Sequence, residues 1–123
     1  MERKLNILIV DDQPDVADIL GKLIETDGHS VTVTYDGREA LKLSQDKRFD
    51  IVFTDISMDG LSGIALTEHL IGQDSEAKVI AITGHVGNDE INQALKAGAK
   101  AFLRKPFRKK EIDEVIEKLR NSL

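Results

Sequence analysis

The stretch Leu5-Asn-Ile-Leu-Ile-Val-Asp-Asp-Gln-Pro14 governs how the rest of the chain is read. From Leu5 to Val10 it is almost continuously apolar and rich in β-branched residues, and it then turns acidic at Asp11 and Asp12 before meeting a proline. A short apolar run with polar residues after it suits a strand buried on both faces, as in a parallel sheet covered by helices. Pro14 suits the first turn of a helix. Val16, Ile19, Leu20, Leu23 and Ile24 then recur at the i, i+3, i+4, i+7, i+8 spacing of one helical face before Gly28. The spacing predicts a strand followed directly by a helix.

Moving outward, the same alternation continues. Ser30 to Thr34, Ile51 to Thr54, Lys78 to Thr83 and Ala101 to Arg104 read as further strands. Between them lie helical patterns. One opens with Asp36 and Glu39 at capping-box spacing and carries Ala40, Leu41 and Leu43. Another runs from Ile64 to Ile71, and a third from Ile91 to Leu95, behind an Asn88 cap and ending at Gly98. After Pro106, Ile112, Val115, Ile116 and Leu119 form a last amphipathic stripe. Five strand-helix units with no hairpin turn joining consecutive strands imply parallel strands, right-handed crossovers and helices on both faces. The expectation is one doubly wound α/β domain over residues 1–123, with no internal repeat and no output domain.

Composition narrows the function classes. The chain has 123 residues, 41% hydrophobic and 32% charged, which suits a single soluble domain. Its 17 basic and 22 acidic side chains give a formal charge of -5, which argues against a broad basic field for nonspecific nucleic-acid binding. With no Cys, disulfides and thiolate metal sites are excluded, so a bound metal is expected to be a hard cation. The first apolar run meets Asp11 before a signal peptide or membrane span is complete, so the expected compartment is the cytoplasm.

In open parallel sheets, ligands bind beyond the carboxyl ends of the strands, near a switch in strand order. The predicted strands end there in Asp11 and Asp12, in Asp55, in Thr83 and in Lys105. Each has an ordinary explanation alone, since aspartates cap helices or start turns and lysines are often solvated. Independent roles of that kind give no reason for acids and a base to gather on one edge. Like charges about 4 Å apart repel by roughly 4 kcal/mol at an effective dielectric of 20, so the cluster calls for positive charge beyond Lys105. Carboxylate oxygens without sulfur suit Mg²⁺, which binds through a few carboxylates, waters and a phosphate. A carboxylate beside such a cation is a candidate nucleophile that forms an aspartyl phosphate, with Lys105 and Thr83 holding the other phosphoryl oxygens.

With these residues in place, the chain resembles the receiver domains of two-component response regulators. The resemblance covers essentially the whole chain and rests on ILIVDD (Ile7–Asp12), DISMDGLSG (Asp55–Gly63), AITG (Ala81–Gly84) and GAKAFLRKPF (Gly98–Phe107). It implies the flavodoxin-like strand order 2-1-3-4-5 in three αβα layers. It also implies Asp55 as phosphoacceptor, with Asp12, Asp55 and the Ser57 backbone carbonyl as direct Mg²⁺ ligands and Asp11 as a ligand through water. Thr83 and Lys105 would grip the phosphoryl group. The implied donor is a phosphohistidine on a histidine kinase or histidine phosphotransfer protein. By the same likeness the chain is a signalling phosphoacceptor that catalyses its own phosphorylation and slow hydrolysis. Phe102 matches an aromatic that turns inward as the residue matching Thr83 moves, altering the face of the fourth helix, fifth strand and fifth helix that an output partner or output domain reads.

Three departures from the family pattern stand out. Asp59 replaces a common Pro, which implies a looser and more acidic loop, although a solvated loop acid is the plainer reading. Ser57 and His85, two residues beyond Asp55 and Thr83, hold positions that in the family modulate water attack on the aspartyl phosphate; a loop His is otherwise usually solvated. Arg108, Lys109 and Lys110 open the last helix, where the macrodipole disfavours each positive charge by roughly 0.3 to 1 kcal/mol. They read either as a solvated run or as a contact for an acidic partner.

Rival classes use some of the same groups. A flavodoxin-type carrier or a Rossmann or P-loop enzyme is disfavoured because DDQPD, not a glycine- or hydroxyl-rich phosphate loop, follows the first strand. A Mg²⁺-dependent phosphatase working through an aspartyl phosphate is a closer alternative, although five tight units leave no obvious insertion for a substrate cap. In the remaining alternative, a metal-dependent interaction module that is never phosphorylated, Asp55 is only a ligand.

Overall fold

The computed structural model describes residues 3–58, 60–84 and 88–120. Among these, strands β1 (Asn6–Val10), β2 (Ser30–Thr34), β3 (Ile51–Asp55), β4 (Val79–Thr83) and β5 (Ala101–Arg104) alternate with helices α1 (Pro14–Glu25), α2 (Gly37–Asp46), α3 (Gly63–Gln73), α4 (Asp89–Ala97) and α5 (Lys109–Arg120). All strand pairs are parallel, in the order β2-β1-β3-β4-β5. The predicted doubly wound, flavodoxin-like sheet is the observed one. No described helix is long and apolar enough to cross a membrane.

Successive side chains of a strand face opposite sides of the sheet, so an unbroken apolar run feeds two cores at once. Ile7 and Ile9 of β1 pack with Ala17, Leu20 and Ile24 of α1 and with Ile112, Ile116 and Leu119 of α5. Leu8 and Val10 pack on the other face with Ala40 of α2 and Leu66 and Leu70 of α3. A smaller cluster joins Ala81 of β4 and Ala94 of α4 with Ile56 and Ala99. On the edge strand β5 the alternation shows through: Ala101 and Leu103 are buried, Phe102 and Arg104 exposed.

Four local expectations are corrected. Helical spacing puts Ile19 on the buried stripe of α1, but it is 57% exposed, and Ala17 and Gly21 are buried instead. Gly21 explains the rotation, since a methyl there would lie 3.1 Å from Val33 Cγ2; the helix approaches the sheet through its smallest residue. Asp36 does cap α2, accepting from the Arg38 N–H at 2.7 Å, but Glu39 turns to the Thr34 hydroxyl instead of closing the capping box. Asn88 makes no side-chain cap on α4; its Oδ1 accepts from Arg104 Nη2 at 3.3 Å.

The fourth correction concerns the basic corner. Lys109 is half-exposed but paired within the chain, its Nζ lying 2.9 Å from Asp113 and 3.1 Å from Asp27. The Lys109 contact holds the Asp27 carboxyl below its ordinary range, and Asp113 and Asp27 raise the lysine. Arg108 and Lys110 remain exposed. Two nearby acids thus offset the unfavourable macrodipole placement.

Candidate functional site

Strand order reverses at the centre of the sheet, where β1 continues into α1 on one face and β3 leads to α3 on the other. The crevice between these two carboxyl ends is where such folds place ligands. Asp11 follows β1 and is fully buried, its N–H extending the pairing with β2 through Thr34 O at 3.2 Å. Asp12 beside it is exposed. Asp55 ends β3 at 6% exposure, and buried Thr83 ends β4. The Thr83 carbonyl accepts the Lys105 N–H at 2.8 Å, which sets the lysine just past β5. Neither Asp11 nor Asp12 is the N-cap of α1; that residue is Gln13, with Pro14 in the first turn.

The sheet therefore brings the predicted residues together. Asp11, Asp12 and Asp55 each offer a carboxylate oxygen, all within 4.8 Å of one another. Lys105 Nζ lies 3.0 Å from Asp11 Oδ2 and 3.2 Å from Asp55 Oδ2, and also donates to Gln13 Oε1 at 2.8 Å. Asp11 Oδ1 accepts the Gln13 N–H at 2.9 Å, and Asp55 Oδ1 accepts the Ser57 N–H at 3.2 Å. Burial, reinforced by the charge of Asp11, raises the Asp55 carboxyl to about 6 even though Lys105 and the Ser57 N–H pull the other way. Burial opposes the charge on Lys105, but Asp11 and Asp55 outweigh it and raise its pKa. Among the described residues the two buried carboxylates, Asp11 and Asp55, share the Lys105 ammonium, and the hard oxygen donors of the cluster fit Mg²⁺.

Gly63, at the start of α3, lets this geometry close. A methyl at that position would collide with the Asp55 carbonyl oxygen, and the Gly63 N–H bonds to Ile56 O at 3.0 Å. Ser57 is exposed, with its hydroxyl 3.4 Å from Glu90 Oε2 on the first turn of α4. Phe102 lies outward on β5, 41% exposed. His85 and Asp59 lie outside the described residues. Gln13 was not anticipated as a site residue: an uncharged amide in an acidic loop gives no signal until the fold brings Lys105 beside it.

A family model for the response regulator receiver domain matches residues 7–117. The chain belongs to that family. It is 32% identical over 120 residues to YkoG, an uncharacterized transcriptional regulatory protein of Bacillus subtilis, which covers 98% of this chain and 51% of that protein. It is 32% identical over 115 residues to the transcriptional regulatory protein ZraR of Salmonella typhimurium, covering 94% of this chain and 26% of that one. The chain thus spans about half or less of these relatives. The crystal structure of the receiver domain of NtrX from Brucella abortus superposes with a TM-score of 0.91 at 31% identity, covering 95% of this chain and 99% of that one. The protein is accordingly a receiver domain of the two-component response regulator type, and its acidic crevice is the part of a receiver where Mg²⁺ generally binds.

Proposed function

We propose that Asp55 is the phosphoacceptor of this receiver and that Asp12, Asp55 and the Ser57 carbonyl hold Mg²⁺ directly, with Asp11 acting through water. The observation that carries this reading is the Lys105 ammonium bridging Asp11 and Asp55 where three carboxylates converge. Asp11 is fully buried while Asp12 beside it is exposed, which favours the direct role for Asp12 and the indirect one for Asp11. Bound Mg²⁺ supplies charge neutralisation for the carboxylates and for a phosphoryl oxygen.

The donor is a phosphohistidine on a histidine kinase or phosphotransfer protein. An Asp55 carboxylate oxygen attacks phosphorus; the new O–P bond forms as the P–N bond breaks, and the departing imidazole nitrogen takes a proton. Lys105 then turns from bridging the acids to holding a phosphoryl oxygen, and the Thr83 hydroxyl holds another. Water later attacks the same phosphorus and returns Asp55 and inorganic phosphate, with Ser57 and His85 as modulators of that step. The receiver so acts as a cytoplasmic switch: Thr83 moves toward the phosphoryl group, Phe102 turns inward, and the surface of α4, β5 and α5 changes for an output partner or output domain.

The test is intact mass spectrometry after incubation with Mg²⁺ and acetyl phosphate. One phosphoryl group is expected on the wild type and none on Asp55→Asn or in EDTA. An unmodified wild type, with Mg²⁺ binding intact, would favour the metal-dependent module instead.

A further inference from the structure

Phe102 and Arg104 are neighbours on the outward face of β5, two residues apart on an edge strand. The Arg104 guanidinium lies 5.5 Å from the centroid of the Phe102 ring. Its Nη2 also lies 3.3 Å from Oδ1 of Asn88, the residue just before α4. Arg104 pairs in register with Thr83 across the sheet and immediately precedes Lys105. One side chain thus touches the outward aromatic and the start of α4 from a backbone position next to both phosphoryl-gripping residues.

We propose that Arg104 is a positioning residue for the switch: it clasps Phe102 in its outward position and ties that position to the start of α4. The proposal rests on the reading above, in which Phe102 turns inward on phosphorylation. Phe102 has no hydroxyl with which to anchor itself to polar partners, and an outward ring leaves apolar surface in water. The outward state therefore needs a partner, and a planar guanidinium provides one. The guanidinium lies over the ring while its Nη2 donates to the Asn88 amide oxygen, two contacts at once that a lysine ammonium makes less well. A cation over an aromatic at an exposed site is worth a factor of about two to five in population. Inward rotation of Phe102 gives up the cation–ring contact, so the clasp biases the unphosphorylated receiver toward the outward state and loosens the start of α4 when it opens.

Fluorine NMR of the full chain labelled with 4-fluorophenylalanine tests this, because only 4 Phe are present and Phe102→Leu assigns the signal. In the wild type, Mg²⁺ with beryllium fluoride, a phosphoryl mimic, should move the Phe102 resonance. Without activation, Arg104→Gln and Arg104→Lys should shift it part-way toward the activated position, matching an inward-to-outward ratio raised about twofold to fivefold. Asn88→Ala should shift it less, in the same direction. Arg104→Gln should also take phosphoryl from acetyl phosphate about twofold to fivefold faster, since whatever favours the reactive state favours the reaction. Unchanged Phe102 signals in both Arg104 variants, with the wild type responding normally to the mimic, would overturn the clasp alone. A wild-type Phe102 signal that ignores the mimic would overturn the inward rotation and the clasp with it.

Discussion

The two edges of the sheet treat buried charge in opposite ways. At the amino edge, Asp50 accepts the Asn6 N–H at 2.8 Å and pairs with Arg3 at 3.2 Å, and His29 Nδ1 accepts the Leu5 N–H at 3.1 Å. Just past α1, Asp27 meets Lys109 of α5, which also pairs with Asp113 one turn on. Carboxylates on this side have matching donors, and the contacts fasten loops to strands. At the carboxyl edge, Asp11 and Asp55 share one ammonium, and Asp55 is raised to about 6 by burial and by its neighbour. Both edges belong to one sheet and are built from the same residue types. The difference is that one edge pairs its carboxylates as folded, while the other holds a buried carboxyl raised, an imbalance that a bound cation would relieve. A local energetic deficit of this kind is the usual mark of a working site on an otherwise consistent fold.

Removing the shared cation should break the contrast most severely. Lys105→Ala leaves two buried carboxylates facing each other, and breaking a buried pair in this way costs about 3 kcal/mol. Urea unfolding should show that loss without metal, and Mg²⁺ should recover part of it. Asp50→Ala removes a partner of the Asn6 N–H and of Arg3, and stranding such donors costs about 2 kcal/mol. The same measurement should find this loss insensitive to Mg²⁺. If Mg²⁺ rescued both variants equally, the distinction between the edges would fail.

A neutral side chain at the deficient edge should act in the reverse direction. Asp55→Asn relieves the repulsion with Asp11 and should stabilise the metal-free receiver by about 1 kcal/mol, a modest gain because the amide stays buried. It should also abolish most of the stabilisation that Mg²⁺ gives the wild type. Loss of stability on this substitution in metal-free buffer would show that the Lys105 pair outweighs the repulsion.

How far each edge was legible in the sequence follows from the same physics. The strands were legible because burial on both faces writes an unbroken apolar run, as at Ile7 to Val10. The three acids and Lys105 were legible because a topological rule places every strand end on one edge, and charge is visible in a sequence. Side-chain partners across the fold were not. Asn88 reads as a helix cap until Arg104 reaches it, Glu39 reads as half of a capping box until Thr34 competes for it, and Gln13 meets a lysine 92 residues away. Ile19 reads as core because helical spacing cannot show that Gly21 sets the approach to the sheet. The roles of Ser57 and Phe102 came from family resemblance, since neither is marked by charge or periodicity.

The smallest and sharpest test is pH. Asp55 is raised when folded, so the folded state holds its proton up to about pH 6, above the ordinary carboxylate range in which the unfolded chain releases it. Its contribution is therefore stability that is complete in acid and is lost as pH rises through about 6. Asp27 is lowered by Lys109, so its contribution is present at neutral pH and lost as pH falls below the ordinary carboxylate range. Acidification should thus strengthen the carboxyl edge while weakening the Lys109–Asp27 contact. In metal-free buffer, Asp55→Asn should remove the first of these slopes and Asp27→Asn the second. Protons and Mg²⁺ compete for Asp55, so the apparent Mg²⁺ dissociation constant should rise about twofold from pH 7.5 to pH 6 and about tenfold by pH 5. Calorimetric titration at these three pH values measures it, and an affinity flat across the range would mean that Asp55 is not the carboxylate the metal needs ionised.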